Sequence, residues 1–74
     1  MNKIEIANLI DALVLQTQKV KDSNYNIKEV KKLEKLDRQA MKLGLAKRLG
    51  SAWYKDKLPK SLHKKYKDAG FSFF

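Results

Sequence analysis

Lys47, Arg48, Ser51 and Lys55 are spaced so that a helix would carry them on one face, and Lys60, Lys64 and Lys67 recur on another. With Lys42, Lys57 and Lys65 close by in the sequence, these side chains predict a contiguous basic patch. From Lys42 to Lys67 nine basic residues face a single acid, Asp56, so this stretch alone carries a net charge of +8. Such a density of ammonium groups serves to neutralise anions held outside the protein. It raises their local concentration and speeds encounter, at the cost of repulsion within the chain. Lysine is a compact point charge suited to backbone phosphates, whereas bidentate reading of bases favours arginine. Only Arg38 and Arg48 are arginines. The composition therefore predicts phosphate contact with little sequence preference. Five to seven phosphates engaged on duplex DNA would give a log–log salt slope of about −5 to −6.

Bond-making chemistry has little to work with. His63 is the only histidine, and no cysteine accompanies it. Ser51, Ser61 and Ser72 lie in no nucleophile-elbow context, and His63 reads as a partly exposed residue on a basic helix. One histidine and scattered carboxylates give no metal-ligand spacing. Gly44, Gly50 and Gly70 stand singly, so no phosphate-cradling loop is present. Neither an enzyme nor a cofactor is expected.

Aromatic side chains are interleaved with the charge. Stacking on unpaired bases is worth roughly 1–3 kcal/mol per base, and Tyr54, which points away from the apolar stripe, is the stacking candidate. Trp53 sits at helical spacing from Leu49 and reads first as core. In a second reading, Trp53 and the terminal Phe71, Phe73 and Phe74 are anchors that dock into a partner protein. The simpler expectation for the phenylalanines is that they fold back and cap the domain. The run Leu45-Ala46-Lys47-Arg48-Leu49-Gly50 resembles the first helix and turn glycine of helix-turn-helix repressors over six residues. Ser51 and Asp56 stand where that motif carries apolar residues, and Pro59 would cut the recognition helix short. The base-contacting positions of that family are not carried over, and the run reads as a helix boundary.

These residues must be positioned by helices. Ile6, Leu9, Ile10, Leu13, Thr17 and Val20 form one stripe, widened by Ile4, Val14 and Leu15, and predict a first helix from about Lys3 to Lys21. Asn2 caps it, with Glu5 placed for a capping box. Residues 22–26 read as a loop. Asn26 opens a second helix, with Glu29 reaching back to it and Tyr25 meeting Val30 as a hydrophobic staple. Val30, Leu33, Leu36, Ala40 and Leu43 face inward, while lysines interleaved with Glu34 and Asp37 face out. Gly44 ends that helix as a left-handed residue, with Leu45 folding back onto Ala40. A third helix is predicted from about Leu45 to Lys55. A fourth runs from Pro59 to Ala69, with Leu58, Leu62, Tyr66 and Ala69 inward and Gly70 as its terminator. The expected architecture is an all-α bundle of three to four short helices over residues 1–70, with 71–74 as an aromatic tail.

At 74 residues such a domain is near the lower limit for folding alone, and without cysteine it has no disulfide staple. The broad apolar face of the first helix predicts a homodimer through residues 6–20. No cysteine, no signal peptide and no apolar run longer than Ala12 to Leu15 point to a cytoplasmic chain with no membrane segment. Residues 1–26 are electrically neutral, so the whole +9 lies in residues 27–74. The function expected is a small nucleic-acid-binding accessory protein, of the size typical of phage or plasmid regulators. The alternative is an inhibitor or adaptor that binds an acidic protein surface.

Overall fold

The first helix, α1 (Lys3–Asp22), begins where Asn2 takes an extended conformation and its side chain accepts the Ile4 N–H at 2.7 Å. It ends with Asn24 in the left-handed region at φ 57°. There the Tyr25 N–H returns to the Val20 carbonyl (2.8 Å) and the Asn24 N–H to that of Lys21 (3.1 Å), the paired bonds of a Schellman closure. The chain then re-enters helix as α2 (Ile27–Lys42), with Asn26 Oδ1 accepting the Lys28 N–H. A connection this short makes α1 and α2 neighbours in an αα-hairpin. The computed structural model describes residues 2–50 and 52–73.

Two expected refinements of the second helix start are absent. Glu29 does not reach back to Asn26, whose N–H is taken by Ser23 Oγ at 3.2 Å. The Glu29 carboxylate instead receives Gln16 Nε2 (2.9 Å) from α1 and Lys32 Nζ (3.3 Å). Gln16 also donates to the Glu29 carbonyl at 2.9 Å, so this buried side chain pins the two helices together. Tyr25 is 66% exposed and forms no buried staple with Val30, because a left-handed φ of 60° turns it to solvent.

Gly44, at φ 79°, ends α2 as predicted. The Leu45 N–H bonds to Ala40 O (2.9 Å) and the Gly44 N–H to Met41 O (3.0 Å). The expected third helix does not follow. The chain instead forms a hairpin of β1 (Ala46–Arg48) and β2 (Ala52–Trp53), antiparallel, with Ala46 opposite Trp53 and Arg48 opposite Ala52. Between two glycines with positive φ, at 44 and 50, there is room for less than two helical turns, and so short a helix does not repay its nucleation cost. The hairpin also buries Leu45, Ala46 and Trp53 together, whereas the helical stripe would have buried Leu49, which is 39% exposed.

The remaining chain is a 3-10 turn (Lys55–Lys57), a second (Lys60–Leu62), and α3 (His63–Asp68). The expected fourth helix is thus reduced to α3 and the turn before it. Gly70 closes α3 at φ 89°, and β3 (Ser72–Phe73) then pairs parallel to β2, with Trp53 beside Phe73 and Ala52 beside Ser72. Parallel neighbours need a crossover, and residues 54–71 supply one. The aromatic segment is thereby a strand of the domain; Phe74 lies outside the described residues. The protein is mostly helical, with a small three-stranded sheet of order β1-β2-β3.

Trp53 and Tyr66, both without exposed surface, centre the core, and Ile6, Leu9, Ile10, Leu13, Ala40, Leu45 and Leu58 surround them. The apolar stripe of α1 is therefore covered by its own chain. Of the surface expected to form a homodimer through residues 6–20, Ile6, Leu9, Ile10, Leu13 and Val20 are buried within the chain, while Val14 and Leu15, with Ile4 before them, are exposed. No helix among the described residues is long and apolar enough to cross a membrane.

Candidate functional site

The hairpin presents charge through an irregularity. Ala46 faces the core, so strict alternation would turn Lys47 out and Arg48 back in. The register slips by one residue between Ala46 and Arg48, which leaves Lys47 as a β-bulge, and both basic side chains are exposed. Arg48, Ala52 and Ser72 then form one cross-strand row, and Ala46, Trp53 and Phe73 the next. In the first row Arg48 and Ser72 are exposed while Ala52 between them is buried, and the second row supplies the core.

The hairpin turn is held by a residue that sequence reasoning placed on the solvent face of the second helix. Asp37 is buried, and its Oδ2 accepts the Gly50 N–H at 3.3 Å. Burial pushes its carboxyl above the usual carboxylate range; the Gly50 N–H opposes this and the nearby Glu34 charge reinforces it. Among the described residues its Oδ1 and the Trp53 indole N–H are buried without a protein partner. The sequence signal available was weak: Asp37 lies one position from Leu36 and three from Ala40, at the edge of the apolar stripe.

A second anchor is aromatic. The Tyr66 hydroxyl donates to the Ser72 carbonyl at 2.9 Å and interacts with the Trp53 backbone N–H, so one side chain bridges β2 and β3. Burial pushes its phenol up to about 12. Its ring stacks on Phe73 (centroids 4.7 Å apart) and lies 4.9 Å from Trp53 and 5.4 Å from Phe71. His63, expected to be a partly exposed bystander, donates from Nε2 to the Leu58 carbonyl at 2.9 Å and lies 5.1 Å from the Phe73 ring.

The structure separates the basic residues into three settings. Lys65 turns back to α1 and forms an ion pair with Asp11 at 2.8 Å. Arg48, exposed at the end of β1, lines a cleft of about 320 Å³ with Phe71 and Phe73. Lys55 and Lys67 line a second, of about 500 Å³, on the same two phenylalanines, with Lys67 Nζ 5.9 Å from the Phe73 ring centre. Lys42, Lys57, Lys60 and Lys64 are exposed away from these clefts. Lys47 is exposed on the bulge. Ser51 lies outside the described residues. Lys47, Arg48 and Lys55 do not share the predicted helical face, because a strand and a 3-10 turn stand where one helix was expected.

Tyr54, the expected stacking residue, is half-buried, and its N–H donates to the Leu45 carbonyl at 2.7 Å. It lines neither cleft. Trp53 has no surface with which to anchor a partner. Phe71 and Phe73 are partly buried against the core rather than free. The described residues contain no group of three or more His, Cys, Asp or Glu side chains arranged to hold a metal ion. Compared with protein families, with curated proteins and with solved structures, the chain matches none.

Proposed function

We propose that the chain is a small nucleic-acid-binding accessory protein that contacts the phosphate backbone with low sequence preference. The supporting observation is charge left without compensation. Lys42, Arg48, Lys55, Lys57, Lys60, Lys64 and Lys67 are all exposed, and none forms an ion pair among the described residues. Seven cations held apart by a folded scaffold repel one another until a polyanion neutralises them. The predominance of lysine favours phosphates over base edges.

The test is an electrophoretic shift with duplex DNA, single-stranded DNA and RNA at two salt concentrations. Binding should fall steeply with salt. The triple variant Lys57→Glu, Lys60→Glu, Lys64→Glu should lose it while retaining its helical circular dichroism. Lys65 is left out because its reversal would break the pair with Asp11. Wild-type affinity in the triple variant would refute the reading. A protein partner reached through aromatic anchors is the less favoured reading, since Trp53 is enclosed and removal of residues 71–74 would delete β3 along with any anchor.

A further inference from the structure

The two clefts that carry Arg48 on one side and Lys55 and Lys67 on the other share one wall, the segment from Gly70 to Phe73. Phe71 lines both. One side of its ring leans on Tyr66, tilted by 46°, and Tyr66 is in turn fixed by its hydroxyl bond to Ser72 and its contact with Trp53. Phe73 has less to offer a ligand, because Tyr66, His63 and Lys67 already crowd its ring. Phe71 is thus an aromatic surface with a rigid backing, set between cations in two open clefts.

We infer that this wall is a stacking platform for single-stranded nucleic acid, with an unpaired base on Phe71 and flanking phosphates on Arg48, Lys55 and Lys67. The inference rests on the phosphate-binding reading and narrows it. Charge complementarity selects a polyanion, since no acidic side chain among the described residues lines either cleft. The ring selects an unpaired base, because duplex bases are stacked on each other and offer no free π-face at the surface. Clefts of this size fall at the low end of small-molecule pockets, and they lie open along the strand rather than closing around a ligand.

The experiment measures fluorescence-anisotropy affinities for an oligonucleotide of about 12 nucleotides, within the range of a small single-strand site. It is used as single-stranded DNA, as the same sequence in RNA and as a DNA duplex. Phe71→Leu keeps the apolar bulk but removes the π-face; it should weaken single-strand binding about tenfold and leave duplex binding unchanged. Arg48→Gln, which removes no core group, should weaken all three and reduce the salt slope by about one. The DNA and RNA arms decide which single strand is preferred.

Equal loss, or no loss, across single strand and duplex in Phe71→Leu would overturn the platform while leaving phosphate binding standing. Should Phe71→Leu lose its helical signal, Arg48→Gln with Lys67→Gln decides: unchanged single-strand affinity in that pair overturns the platform. Absence of binding to every oligonucleotide at low salt removes the broader reading with it. Phe71-dependent binding of a polyglutamate peptide without oligonucleotide binding would assign the clefts to an acidic protein segment and overturn the inference.

Discussion

Asp37 fastens the basic hairpin to α2 through the Gly50 N–H, at the cost of burying a carboxylate whose other oxygen has no protein partner among the described residues. Its carboxyl is raised in the folded state, so the folded protein binds this proton more tightly than the unfolded chain. By linkage, its contribution to stability is greatest below the unfolded value near 3.8 and is lost as pH rises through the higher folded value. Asp37→Asn removes that titration. The stability of the wild type relative to Asp37→Asn should therefore increase as pH is lowered from 7 toward 4, read as the difference between their urea midpoints. A difference that does not change with pH would mean that the carboxyl titrates alike folded and unfolded. Tyr66→Phe probes the second fastening. Removing a buried hydroxyl leaves the Ser72 carbonyl without its donor and should cost about 1–3 kcal/mol. Hydrogen exchange should show Ser72 and Phe73 losing protection first.

At the scale of elements, each α-helix ends on a left-handed residue: Asn24, Gly44 and Gly70. Nothing lies within 4 Å of a Cβ built on Gly44, so Gly44→Ala meets no steric obstacle. The substitution isolates the cost of positive φ in a residue with a side chain, about 1 kcal/mol. For a domain of this size that corresponds to a fall of roughly 4–8 °C in Tm. The consequence extends beyond α2, because the Leu45 N–H bond to Ala40 that follows the glycine sets the direction in which β1 departs. The β-bulge at Lys47 matters in the same way, since it places two consecutive cations on the solvent side of a strand whose first residue is buried.

For the whole molecule, the balance of charge sets the response to salt. Two ion pairs are formed among the described residues, Glu29–Lys32 and Asp11–Lys65, against a net charge of +9. Repulsion therefore outweighs attraction. Raising ionic strength from about 10 mM to about 150 mM shortens the screening length from roughly 30 Å to 8 Å. Scanning calorimetry should show Tm rising over that range. A falling Tm would mean that the two pairs, though exposed, outweigh the repulsion. In the Glu29–Lys32–Gln16 cluster, hydrogen bonding from Gln16 holds the Glu29 carboxyl below its usual range. Its contribution is present above the unfolded value and is lost as pH falls through the lowered one, opposite in sign to that of Asp37.

The starts of α1 and α2, the left-handed stops at Gly44 and Gly70, the core stripe of α1 and the concentration of charge after residue 26 were all legible in the amino-acid order. Each depends on residues within a few positions of one another, where capping, periodicity and counting of charge operate. The exchange of a predicted helix for the β1–β2 hairpin was not legible, because the pairing of Trp53 with Phe73 and its enclosure by Tyr66 join residues from separate elements. The same holds for Asp37 on Gly50, Gln16 on Glu29 and Lys65 on Asp11, each a contact across the chain that overrode a local expectation. The positive charge itself could be read from composition. Which cations share a cleft with Phe71, and which are turned back to α1, depended on how the strands and helices packed, and only the tertiary structure decided it.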